Sequence, residues 1–184
     1  MKKSVEAIIK QEWQWFDQVN NIGGRASCQD DGQTFYIMRG SQLSAWSGEM
    51  LESYREDIVR AKQQGVNLVE VKYGYMMAST YPEAYARIAD RLPARGEKKK
   101  AMVEAICLIH VQWLQALSQK YPGLTGRSRP VCTGEDRPGI TSFETYLRGE
   151  LGTYSLKTLQ YYKSYIDWLI AQGKNLNAMI LTNE

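Results

Sequence analysis

Apolar residues recur at three- and four-residue spacing along nearly the whole chain, and no alternating run of β-branched residues lasts long enough to make a strand. The pattern predicts an all-α fold. A first helix runs from about Ser4 to Asn20, with Val5, Ile8, Ile9, Trp15, Phe16 and Val19 on one face and Gly23 and Gly24 as its stop. A second extends from near Asp31 to near Trp46, and a third from about Gly48 to Gln64, stopped by Gly65. Asn67 caps a fourth, with Glu70 three residues on, and Thr80, Pro82 and Glu83 open a fifth. The sixth, from about Gly96 to Lys120, carries the most apolar stripe. Pro122 to Ile140 gathers most of the remaining turn formers and reads as one long loop. A seventh helix begins at Thr141 or Ser142 with Glu144, and an eighth runs from Ser155 to Gln172, stopped by Gly173.

The pattern of about eight helices contains a repeat. At an offset of 98, "VEAIIKQEWQWF" from Val5 lies over "VEAICLIHVQWL" from Val103. At an offset of 108, residues 35–68 lie over 143–176 without a gap, and ten of those 34 positions agree, closing with "QGVNL" over "QGKNL". Matched pairs include Leu43 with Leu151, Ser47 with Ser155, Tyr54 with Tyr162 and Ile58 with Ile166. Such self-similarity marks an internal duplication. We expect two pseudo-symmetric three-helix repeats, about 4–68 and 102–176, joined by a helical connector made of the fourth and fifth helices. The loops "GGRASCQDDG" and "RSRPVCTGEDRPG" each place an arginine three residues before a cysteine, which makes Cys28 and Cys132 the expected counterparts.

Within that frame the polar residues on apolar faces stand out. Glu12 and His110 fall mid-stripe at equivalent places in the first and sixth helices, where an unpaired ionisable group costs roughly several kcal/mol. Facing one another across the axis, they would form an ion pair or shift each other's pKa toward neutrality. A satisfied hydrogen bond in the core is the equally weighted alternative. Gln42 and Glu150 share one position in the second and seventh helices, beside Tyr146. Arg39 on that stripe and Arg148 at its edge suit bidentate recognition of a carboxylate or phosphate, or simply neutralise Glu12 and Glu150. Arg25 and Gln29, on the first loop, are placed to close over the pocket, with Glu144 opening the seventh helix. Cys28, Glu70 and Lys72 are weaker candidates: the cysteine needs a nearby base or positive charge, and Glu70 is accounted for by capping. Tyr161, Tyr162, Tyr165 and Trp168 cover more than one face of the last helix and suit core packing or a homodimer contact.

Composition narrows the classes. At 184 residues, 43% apolar and 23% charged, the chain has the size and make-up of one globular domain spanning 1–184, and no apolar run approaches the 18 or so residues of a membrane span. The basic start "MKKSVEAIIKQEW" lacks the apolar core of a secretory signal, so a cytoplasmic location is expected. Three cysteines, Cys28, Cys107 and Cys132, make no disulfide framework, and a single histidine excludes multi-histidine metal sites. A net charge of +3 argues against nucleic acid. No phosphate-binding loop or dinucleotide fingerprint is visible, so no cofactor is expected. A carboxylate-rich metal site built from Glu12, His110 and Glu150 is the lesser alternative, without the Glu-x-x-His pattern of di-iron bundles.

The segments "EWQWFDQVNNIGGRASCQDD", "KYGYMMAST" and "SFETYLRGELGTYS" resemble an uncharacterised bacterial family, domain of unknown function 4125, over most of the chain. The resemblance implies a bacterial, cytoplasmic protein and carries no activity or catalytic residue with it. From the residues themselves, the leading expectation is a small cofactor-independent enzyme acting on a compact anionic metabolite of amino-acid type between the repeats. Glu12, His110 and Glu150 would move protons, Arg25, Arg39 and Arg148 would hold the anion, and Gln42 and Tyr146 would orient it. The alternative is a non-catalytic ligand-binding or protein-interaction module in which the same polar residues fix helix register.

Overall fold

The computed structural model describes residues 2–22, 24–125 and 129–183, and among these every regular element is helical. Helix α1 (Lys2–Asp17) is followed by a 3-10 turn at Ser27–Asp30, then α2 (Gly32–Ser44), α3 (Gly48–Gln63) and α4 (Leu68–Thr80). A short α5 (Pro82–Ala86) leads by turns to α6 (Glu97–Lys120); α7 (Pro122–Thr125) and a second 3-10 turn at Thr133–Glu135 precede α8 (Phe143–Thr153), α9 (Leu156–Ala171) and α10 (Leu176–Leu181). The all-α expectation holds. Helix α1 ends three residues before the expected Asn20, and Gly24 follows at φ 96°, a left-handed turn that costs glycine nothing. Gly23, expected to share in that stop, lies outside the described residues.

Local rules set the boundaries. Asp31 caps α2 by accepting from Thr34 N, and Ser47 and Ser155 cap α3 and α9 by accepting from Met50 N and Thr158 N. Gly65 and Gly173 leave α3 and α9 at φ 67° and 65°, letting Val66 N and Lys174 N bond back to Ala61 O and Leu169 O. Asn67 and Asn175 then cap α4 and α10, and their amides donate to Trp15 O at 2.9 Å and Trp113 O at 3.4 Å. Positions matched in sequence thus make matched bonds. Two expectations change here. Helix α10 continues beyond Gly173, where the sequence suggested a final stop, and α7 interrupts the long loop.

The core is continuous across the chain: Ile8, Leu43, Met50 and Ile58 from the first part meet Ile106, Leu151, Leu159, Ile166 and Leu169 from the second. Helix α3 packs along α9. Asp57 accepts from Ser155 N at 2.9 Å and Thr158 Oγ1 at 2.7 Å, while Tyr165, 108 residues on, donates to Ala45 O at 2.9 Å. Helix α4, expected as part of a helical connector, is also part of the packing. It packs closely on α8, where a Cβ at Gly149 would sit 2.7 Å from Met76 Cγ and 3.0 Å from Lys72 O. Its counterpart α10 packs on α6 and α2. Helix α6, with 24 residues and mean hydropathy 1.3 over its most apolar window, is long and apolar enough to cross a membrane, contrary to expectation. Val103, Ile106, Cys107, His110 and Val111 line its buried face, on which it packs against α8 and α9, and 28% of that apolar window is buried.

Candidate functional site

Arg39 is the hub of a buried ionic centre. It reaches the core from α2, and its planar fork meets Glu12 of α1 side-on, with Nε to Oε2 at 2.6 Å and Nη2 to Oε1 at 2.7 Å. The remaining edge serves α8: Nη1 donates to Glu150 Oε1 at 2.7 Å and to Gln42 Oε1 at 2.5 Å. Lys72 of α4 approaches Glu150 Oε2 at 3.3 Å, so two cations balance two carboxylates. Tyrosines complete the coordination. Tyr54 Oη donates to Glu12 Oε1 at 2.5 Å and Tyr154 Oη to Glu150 Oε1 at 2.5 Å, and Trp46 packs edge-on against both rings.

Electrostatics follow from this geometry. Burial would lift the Glu150 carboxyl, but Arg39, Lys72 and the Tyr154 hydroxyl overcome it and hold the pKa at about 2. Burial opposes charge on Arg39 and Lys72 as well; Glu12 and Glu150 outweigh it for the arginine, and Tyr146 with Glu150 does so for the lysine, so both lie above their ordinary values. The Tyr54 and Tyr154 hydroxyls are pushed well up, first by burial and then by the neighbouring carboxylates, and stay protonated donors.

His110 forms a separate centre. The expected pairing with Glu12 does not occur: the ring's Nδ1 meets Asn177 Oδ1 at 2.5 Å and its Nε2 meets Tyr162 Oη at 3.0 Å, while Asn177 Nδ2 donates to the His110 carbonyl at 2.9 Å. Burial, opposed by the Asn177 hydrogen bond, pulls its pKa down to about 4, so the ring is neutral near pH 7. Each helix sends its polar residue to one of two tyrosines matched in sequence. Glu12 meets Tyr54 and His110 meets Tyr162, at offsets of 98 and 108.

The other candidates are dispersed. Gln29 is buried and all four of its hydrogen-bonding positions are filled, by Phe16 O, Val19 O, Ala26 N and Asn21 Nδ2, so it plugs the end of α1. Arg25 clasps Asp17 and Asp30 at the surface, and Arg148 clasps Glu104 and Glu144. Glu144 also accepts from Thr133 N; burial would raise its pKa, and these donors lower it. Tyr146 lies under two cations, Lys72 Nζ at 3.8 Å and Arg129 Cζ at 4.5 Å from the ring centre. Glu70 is exposed on the first turn of α4. Cys28 is exposed inside its 3-10 turn, whereas Cys132 is the N-cap of the second, in the place of Ala26; the two are not counterparts. Of the last helix's aromatics, Tyr162 is buried in the core and Trp168 is 51% exposed.

Sequence reasoning missed Tyr54, Tyr154, Tyr162 and Asn177. The match of Tyr54 with Tyr162 was a usable signal for two of them; Asn177 lay beyond the presumed last helix. Two recesses of the surface lie away from both centres. One of about 470 Å³ is bordered by α1 and the turn between α3 and α4, and another of about 340 Å³ lies along α3 beside Arg55, Val59 and Gln63. Among the described residues, no group of three or more His, Cys, Asp or Glu side chains could hold a metal ion. The family described as protein of unknown function (DUF4125) matches residues 2–183. The chain belongs to that family. No curated protein and no solved structure matches it.

Proposed function

We propose that this family member is a non-catalytic binding module, built from two related halves whose register is fixed by the buried polar centres. The observation that carries this reading is saturation. Glu12 accepts three hydrogen bonds, Glu150 is held by Arg39, Lys72 and Tyr154, and His110 uses both ring nitrogens, all inside the protein. A general acid or base needs an open face toward a substrate, and neither recess reaches these groups. The acid-base enzyme expected from the same residues therefore has less support than the module. The matched caps and the paired polar–tyrosine contacts support the duplication.

The test is a thermal-shift screen of compact anionic metabolites on wild type and Glu12→Gln, both checked for folding. The module reading expects no metabolite whose stabilisation depends on Glu12. A metabolite that stabilises wild type and fails on a folded Glu12→Gln protein overturns it.

A further inference from the structure

The larger recess has a lining that helix packing does not explain. Gln11, Gln14 and Gln18 of α1 border it at intervals of three and four residues, Lys62 of α3 and Asn67 border it as well, and Trp15 contributes only an edge, being 7% exposed. No carboxylate lines it. The second half supplies an internal comparison. At offsets of 98 and 108 the framework residues recur, with Trp113 for Trp15, Gly173 for Gly65 and Asn175 for Asn67. Four of the eight lining residues change: Ile109 stands for Gln11, Ala116 for Gln18, Ile170 for Lys62 and Lys174 for Val66, whereas Gln14 keeps its type, as Gln112. The scaffold needs the tryptophan, glycine and asparagine; it does not need Gln11, Gln18 or Lys62.

We propose that this recess binds an extended peptide segment bearing a carboxylate, a proposal that rests on the module reading above. A primary amide offers both donor and acceptor, the same pair that a peptide unit presents. Gln14 and Gln18 are one helical turn apart, about 6 Å along the axis, close to the two-residue repeat of an extended chain, about 6.7 Å. Successive outward-facing peptide groups of one strand therefore meet successive glutamines. The second half, with an alanine in place of Gln18, lacks that pair. Lys62 supplies the one charge and selects an acidic side chain or a C-terminal carboxylate. A sugar is disfavoured, because Trp15 presents no open ring face for a pyranose to stack on. At about 470 Å³ the recess is large enough for a ligand of several residues.

The experiment selects phage-displayed random dodecapeptides on the full-length protein, resynthesises the enriched sequences and measures their affinity by fluorescence polarisation. Enriched peptides are expected to be acidic, to lose at least about tenfold in affinity on Gln14→Ala/Gln18→Ala and on Lys62→Glu, and to be unaffected by Gln112→Ala in the other half. The substituted side chains are at the surface, and unchanged Tm values confirm folding. No enrichment over a tag-only control overturns the proposal. So do peptides indifferent to the Gln14, Gln18 and Lys62 substitutions, although these would leave the module reading standing. A Glu12-dependent metabolite in the thermal-shift screen would instead sink the module reading itself.

Discussion

Glu12 and His110 occupy matching places on α1 and α6, and each bonds the matching tyrosine, yet one centre is ionic and the other neutral. The difference originates at Arg39, whose counterpart 108 residues on is Leu147. With a guanidinium available, Glu12 is held by two hydrogen bonds and tied through Arg39 to Glu150 of α8. Without one, the second centre uses an imidazole and an amide, which satisfy each other with no net charge. One scaffold position tolerates either chemistry provided its polar atoms find partners. Burial of an ionisable group is a poor guide to catalysis when its partners are supplied by the fold.

The sharpest way to break this comparison is to remove the hub. Arg39→Met leaves Glu12 and Glu150 buried against one remaining cation and should cost about 3–5 kcal/mol, since unpaired buried charge is the expensive state. For a chain of this size that is a Tm loss of roughly 6–20 °C, read by calorimetry. A loss below about 1 kcal/mol, the range of exposed pairs, would mean that solvent reaches the centre.

The α4–α8 contact offers the next largest contrast. Gly149→Ala drives a methyl into Met76 and the Lys72 backbone and should cost about 1–3 kcal/mol. At the matching position in α2 the chain carries Ser41, and Ser41→Ala should cost less, since the hydroxyl bonds only to Ile37 O in its own helix. Equal losses in urea titration would show that α4 and α10 are packed alike.

The neutral centre is weaker and has a signature in pH. His110→Leu leaves Asn177 Oδ1 and Tyr162 Oη without their partner and should cost about 1–3 kcal/mol at pH 7. The folded-state pKa is about 4 against an ordinary 6.5, so between those values the unfolded chain binds a proton that the folded one does not. Stability is fully present above about 6.5 and falls as pH drops toward 4; in His110→Leu this slope disappears. Glu150, held at about 2 against an ordinary 4.5, loses its contribution only as pH falls from about 4.5 toward 2. A wild-type stability curve flat from pH 6.5 to 4.5 would contradict the burial of the imidazole. The smallest effect belongs to the surface: Glu104→Gln, opposite Arg148, should change stability by under about 1 kcal/mol.

Much of this was written in local sequence. The caps at Ser47, Ser155, Asn67 and Asn175, and the stops at Gly65 and Gly173, follow from short-range rules, and the polar residues within apolar stripes marked Glu12, His110 and Glu150 as unusual. What could not be read was the partnership. Whether Arg39 meets Glu12, Glu150 or a ligand depends on how α1, α2 and α8 cross, which periodicity does not encode. The expected Glu12–His110 pair failed for the same reason: equivalent positions in two halves need not face each other. Lys72 ranked low beside Glu70, whose capping role said nothing of where the lysine reaches, and Asn177 lay beyond the eighth helix, the last one expected.

The central claim is that the ionic centre clasps α1 and α2 to α8, and a double-mutant cycle on Arg39 and Glu150 tests it most directly. Arg39→Met, Glu150→Leu and the double variant are unfolded in urea beside wild type. The account predicts that the double variant loses at least about 1.5 kcal/mol less than the sum of the single losses, because either single change already breaks the Arg39–Glu150 bond, and with both groups gone the remaining Glu12 and Lys72 balance in charge. Strictly additive losses would contradict it, since two groups that do not depend on each other cannot hold α2 and α8 in register.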